Sequence, residues 1–164
     1  MQIPIVDAND IIIAYKDRSE LDFDKDIFRT ASLWVVNSNG DVLLSQRKLT
    51  KRKDPGKWSE AVGGTVEGDD TYLKTISREA KEELGLENTL FVEGPKKFVT
   101  TKSYRGFVQW YTLCMDKGIS DFNIQEDEIE QVAWVPIKQL QDDVRNFPDK
   151  YIESMSGALE LFGN

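Results

Sequence analysis

Residues 69–86, DDTYLKTISREAKEELGL, constrain the fold of this chain more than any other stretch. Leu73, Ile76, Ala80 and Leu84 recur at spacings of three, four and four, which is one apolar face of an α-helix. Asp69, Asp70 and Thr71 offer capping side chains at its start, and Gly85 offers a left-handed stop. A helix from about Thr71 to Leu84 must therefore lie against a core. Glu79, Glu82 and Glu83 fall within an arc of about 100° beside the apolar face, so they can converge on one point. They sit near the negative end of the helix dipole, and Glu79 and Glu83 repel at i,i+4 spacing, at a cost of some tenths of a kcal/mol each. A solvated acidic surface would explain such a cluster equally well, and the rest of the sequence must decide.

Around this helix the pattern is of short strands. IPIVDANDIIIAYKD predicts two strands about a turn at Asp7 to Asp10, within residues 3–16. ASLWVVNSNGDVLLSQR predicts a longer hairpin through Asn39-Gly40. KLTKRKDPGKW is a basic loop with Pro55-Gly56, and SEAVGG a short strand. KKFVTT and GFVQWYTLCM flank Tyr104-Arg105-Gly106 as another hairpin. IEQVAWVPIKQL runs from a strand through Pro136 into a helix, and a closing amphipathic helix is expected at about 148–161. With no repeat or linker, residues 1–164 are expected to form one domain of interleaved strands and helices.

Composition removes several chemistries. A net charge of −8 opposes generic binding to nucleic acid or to an anionic membrane, although an anionic ligand can still be bridged to carboxylates by divalent cations. With no histidine there can be no histidine-ligated zinc, no Ser-His-Asp triad and no Cys-His dyad. A metal site must be built from oxygen ligands, which suits Mg2+ or Mn2+. The single cysteine, Cys114, lies in an apolar run and is expected to be a buried thiol. The absence of a membrane-length apolar run or a signal-type start points to a cytoplasmic protein.

From Gly64 the chain reads five residues, Asp70, seven residues, then Arg78-Glu79-Ala80-Lys81-Glu82-Glu83-Leu84-Gly85-Leu86. This resembles the Nudix box, here residues 64–86, at eight of nine specified positions; Asp70 stands where the family has glutamate. The flanks VDANDIIIAYKD, FRTASLWVVNSNGDVLLSQRK and PGKWSEAVGGTVEG resemble the branch that contains isopentenyl-diphosphate isomerase and its hydrolase relatives. Those isomerases carry a cysteine and a histidine in the segment where this chain has Gly63 and Thr65, which leaves isomerisation without its parts. The resemblance implies an α+β fold, an α/β/α sandwich with a mixed β-sheet between helices. It also implies a Mg2+-dependent hydrolase of a diphosphate linkage in a nucleoside diphosphate derivative or a nucleoside di- or triphosphate. A Nudix-fold module that binds nucleotide without turnover is the non-enzymatic alternative.

By the same resemblance Glu79, Glu82 and Glu83 are metal ligands, joined by the carbonyl of Gly63. Gly64, Asp70, Arg78 and Gly85 are structural, with Arg78 facing away from the glutamate arc as a partner of Asp70. The base is Glu82 or Glu128, the latter in the acidic loop NIQEDEIEQ, where it can equally be solvated loop charge. Arg47, Lys51 and Arg52, with Lys53, are candidates for phosphate contacts. Trp58, Phe28, Tyr104 and Trp110 are candidates for base stacking, although strand aromatics more often fill cores. The implied partner is a small phosphorylated molecule, and a homodimer is open.

Overall fold

The computed structural model describes residues 1–164. Nine strands and three α-helices follow one another as β1 Gln2–Val6, β2 Ile12–Asp17, β3 Phe28–Val36, β4 Asp41–Arg47, β5 Trp58–Glu60, β6 Val62–Thr65, α1 Tyr72–Leu84, β7 Val92–Thr101, β8 Tyr104–Cys114, β9 Ile129–Pro136, α2 Ile137–Asn146 and α3 Met155–Phe162. β1 and β2 form a separate antiparallel hairpin. The other strands form a mixed sheet in which β3 and β8 run parallel over nine residue pairs, from Phe28↔Gly106 to Val36↔Cys114. A parallel pair needs a crossover, and the connection here carries α1 and β7.

The hairpin expected at Asn39-Gly40 forms, with the Asn37 side chain accepting from the backbone N–H groups of Asn39 and Asp41. Its strands then part. They pair only at Val36↔Val42; β3 turns to β6 and β8, and β4 turns to β5 and β9. The sheet therefore consists of two halves, and SEAVGG bridges them. Instead of one strand it forms β5, paired with β4, and β6, paired with β3, broken at buried Ala61. The break carries Gly63 and Gly64 from one half-sheet to the other.

Side chains alternate across β3 and feed two cores. Ala31, Leu33 and Val35 pack with Ile76, Ala80 and Leu84 of α1. Trp34 packs on the opposite face with Leu140 of α2 and Met155 and Ala158 of α3. The result is a helix layer on each face of a mixed sheet, as the α/β/α expectation had it. Thr71 caps α1 by accepting from the Lys74 N–H at 3.1 Å, and Gly85 stops it in the left-handed region at φ 68°.

Three expectations change. The β7–β8 turn falls at Lys102-Ser103, and Gly106 lies within β8 because the Phe28 carbonyl passes where its Cβ would stand. Cys114 ends β8 and is exposed, so it is not a core thiol. The helix expected at about 148–161 begins at Met155. Before it, Pro148–Lys150 is a 3-10 turn, and Tyr151 and Ile152 are held extended by pairing with Trp58.

Candidate active site

Two glycines let the backbone of β6 approach carboxylates. A Cβ on Gly64 would stand 2.5 Å from Cγ and 2.7 Å from Cδ of Glu79, on the side facing α1. A Cβ on Gly63 would stand 2.9 Å from Oε1 of Glu60. Neither glycine adopts the left-handed backbone, so what each provides is room beside an acid. Glu60 was not singled out by the sequence, where it sits as one polar residue in an apparent strand. In the fold its Oε1 accepts from Ser32 Oγ at 2.9 Å, and burial raises its pKa above the carboxylate range.

Glu83 projects from the last turn of α1 with no hydrogen-bond or ion-pair partner on its side chain. Burial first, then the charges of Glu79 and Glu128, push its pKa up to about 8. Glu79 is raised as well, by burial and by Glu82, against the opposing pull of Arg78. Carboxylates from α1, β5 and the loop before β9 thus crowd one region.

Arg78 does not face away from them. Its Nη1 lies 2.9 Å from Glu79 and 3.3 Å from Glu82, while its Nε reaches Asp70 only at 3.9 Å. The short contact of Asp70 is with Lys74, at 2.6 Å. A helical wheel places the Arg78 Cα away from the glutamate arc but takes no account of a side chain long enough to fold back towards unneutralised carboxylates. With Glu79 and Glu82 paired to Arg78, no three acidic side chains stand around a common point at metal-binding distance. Arg78 Nη2 is buried without a hydrogen-bond partner, and Arg78 is paired with Glu79 and Glu82 while Glu83 has no ion-pair partner. The donor set, carboxylates with a nearby backbone carbonyl and neither histidine nor thiolate, fits a hard divalent cation such as Mg2+ or Mn2+.

The remaining candidates fall on the loop after β4 and on β5. Arg47 donates from Nε to the Lys53 carbonyl at 3.1 Å, and Lys51 forms an ion pair with Glu128. Arg52 is exposed on the same loop. Trp58 is half-buried against the α2–α3 core, with its carbonyl accepting from the Ile152 N–H at 3.0 Å. Phe28 packs edge-on to Tyr104 at 4.9 Å, and Trp110 is buried against Trp34, so these rings are core.

At the far end of α1 lies a cluster the sequence did not signal. Buried Asp10, in the left-handed region at φ 64°, takes Arg29 at 2.6 Å, Lys96 at 2.6 Å and the Tyr72 hydroxyl at 3.0 Å. It ties the β1–β2 turn to β3, β7 and the start of α1. No helix is long and apolar enough to cross a membrane.

Known proteins share this fold. The chain is 31% identical over 143 residues to an uncharacterized Nudix hydrolase of Nostoc sp., covering 85% of this chain and 83% of that protein. Its fold superposes on the crystal structure of DR0079 from Deinococcus radiodurans with a TM-score of 0.83, at 19% identity and 99% coverage of both chains. It superposes with a TM-score of 0.62 on the NUDIX domain of Shewanella oneidensis NrtR complexed with ADP ribose, at 18% identity, covering 87% and 92% of the chains. The family model for the NUDIX domain matches residues 27–155, a span that runs from the start of β3 through α2 and includes the glycine pair and the glutamate helix. On that match the chain belongs to the Nudix hydrolase family.

Proposed function

We propose that this protein hydrolyses a diphosphate linkage in a nucleoside diphosphate derivative, or in a nucleoside di- or triphosphate, with Mg2+ or Mn2+ as cofactor. The observation that carries the proposal is Glu83, a half-buried acid with no hydrogen-bond or ion-pair partner beside Glu79 and Glu128, whose ionised form is expensive there unless a cation shares the site. Glu79, Glu82 and Glu83, with the Gly63 carbonyl, would hold the ion once Glu79 and Glu82 turn from Arg78. When bound it neutralises charge on the phosphate oxygens and acidifies water.

The chain's own residues supply the rest. Gly64 leaves room for the Glu79 carboxylate against β6, and Ser32 fixes Glu60 beside Gly63. Arg78 is the local countercharge for Glu79 and Glu82. Glu128 is the candidate base: it is partly exposed, lies on a loop adjoining Glu83, and can accept the proton of an attacking water. Glu82, paired with Arg78 at 3.3 Å and assigned to the ion, is the alternative base. Lys51 and Arg52, on the loop flanking Glu128, offer cations to substrate phosphates. We assign residues 1–164 to one domain on this basis, with the β1–β2 hairpin tied in through Asp10. Isomerisation of a prenyl diphosphate is disfavoured, because no histidine exists to serve it.

ADP ribose in the NrtR domain makes nucleoside diphosphates joined to a sugar the first compounds to try. A phosphate-release screen over nucleotide sugars, ADP ribose, dinucleotides, coenzyme A, nucleoside di- and triphosphates and prenyl diphosphates, with Mg2+ or with chelator, tests the proposal. Metal-dependent turnover of at least one nucleotide is expected. Tight binding without turnover across the panel would instead identify a nucleotide-binding module.

A further inference from the structure

Lys51 and Glu128 come from loops far apart in sequence and are each other's partner in the fold. One flanks the site as a phosphate-binding cation and the other as its base, so in the structure each occupies the group the other needs for its task. The frame around the pair is fixed. The Lys48 N–H donates to the Glu128 carbonyl at 3.0 Å, Lys48 pairs with Glu130 at 3.1 Å, and Gln131 donates to Gln46 at 2.7 Å. Within that frame the Lys51 ammonium, on a flexible four-carbon stem, can change partner without moving the backbone. The two side chains are 27% and 34% exposed, which lets a ligand reach them. The Gln125 N–H, three residues before Glu128, donates to the Glu83 carbonyl at 3.0 Å, so the pair adjoins the candidate metal site.

We propose that Lys51 is a phosphate-responsive latch on Glu128: it holds the carboxylate in the free protein and releases it when a substrate phosphate takes the ammonium. The latch rests on the hydrolase reading above and adds to it a coupling between substrate binding and release of the base. A partly exposed ion pair is weak, so the exchange costs little, about threefold in ligand affinity. A diphosphate carries more charge than one carboxylate and can meet that cost. The benefit is order of events, since Glu128 becomes a free acceptor only once phosphate is in place.

The test is a double-mutant cycle on ligand binding, with no turnover required. Methylenediphosphonate, a diphosphate that cannot be hydrolysed, is titrated calorimetrically in saturating Mg2+ into wild type, Glu128→Gln, Lys51→Met and the double variant. The latch predicts that Glu128→Gln binds about threefold tighter, because the competitor for Lys51 is gone. It predicts that Lys51→Met binds more weakly, and that Glu128→Gln gives no tightening in the Lys51→Met background. Simple relief of negative charge would tighten binding equally in both backgrounds, and that additive result overturns the latch, as does unchanged affinity in Glu128→Gln. Lys51→Arg, which keeps the charge, is expected to restore the coupling, and Lys51→Gln replaces Lys51→Met if the latter fails to fold. Absence of binding by all variants, wild type included, would overturn the phosphate site beneath the latch as well.

Discussion

Gly64→Ala separates the catalytic meaning of the glycine pair from its structural one. The added Cβ would lie 2.5 Å from Cγ and 2.7 Å from Cδ and Oε1 of Glu79, where ordinary contacts begin near 3.4 Å. Something must move by about 1 Å. The obstructing atoms are the outer part of one flexible side chain, and Gly64 does not need a positive φ, so Glu79 is what gives way. A shifted rotamer costs about 1 kcal/mol, a melting-temperature loss of roughly 3 °C for a chain of this size. The functional cost is much larger, because a reacting group or ligand misplaced by 1 Å lowers turnover about 100-fold. Turnover and calorimetric Mn2+ affinity, measured beside urea unfolding, should therefore show near-normal stability with weakened metal binding and a loss of about two orders of magnitude in rate. Wild-type Mn2+ affinity and rate in Gly64→Ala would refute the placement of Glu79 as a ligand; loss of the folded state would show that the backbone of β6, and not the side chain, takes the strain.

Two further changes probe the frame. Gly106→Ala should be far more damaging to stability than Gly64→Ala, by about 3 kcal/mol or more, because the obstacle is the Phe28 backbone carbonyl in the β3–β8 ladder; near-wild-type urea unfolding would contradict that. Asp10→Asn should cost about 3 kcal/mol at neutral pH, since it leaves the Arg29 and Lys96 charges with only a neutral amide. Burial alone would raise the Asp10 pKa, but Lys96 and Arg29 hold it below the ordinary value of 3.8. Its stabilisation is thus fully present above that value and is lost as pH falls through the depressed one. Wild type and Asp10→Asn should converge in unfolding free energy below about pH 4, and a gap that stays constant into acid would contradict the assignment.

The parts of this fold that were legible in sequence are those with local causes. The apolar spacing of Ile76, Ala80 and Leu84 in α1, from which Leu73 departs by being 49% exposed, the caps at Thr71 and Gly85, the Asn37–Asp41 turn, and the passage through Pro136 into α2 each depend on a few neighbouring residues. What escaped depends on contacts distant in sequence. Gly106 looks like a turn glycine until Phe28 is laid across it. Glu60 looks like strand surface until the break at Ala61 turns Gly63 towards it, and Asp10 looks like a turn residue until Arg29, Tyr72 and Lys96 arrive from three other elements. Within the site, the spacing of Glu79, Glu82 and Glu83 indicated an acidic face, but helix periodicity says nothing about the reach of Arg78. Nor could it show that Lys51 and Glu128, named separately as phosphate contact and base, would meet.

The most direct test of the account is Glu83→Gln, assayed for metal-dependent phosphate release on a substrate turned over by the wild type, alongside Mn2+ titration and thermal melting without metal. Replacing this half-buried, unpartnered acid by a neutral amide of the same shape breaks no ion pair or hydrogen bond, so the metal-free variant should melt no lower than wild type. Its Mn2+ affinity should fall at least tenfold and its turnover by about two orders of magnitude or more. Full metal-dependent turnover with unchanged Mn2+ affinity would place the divalent cation elsewhere and contradict the account.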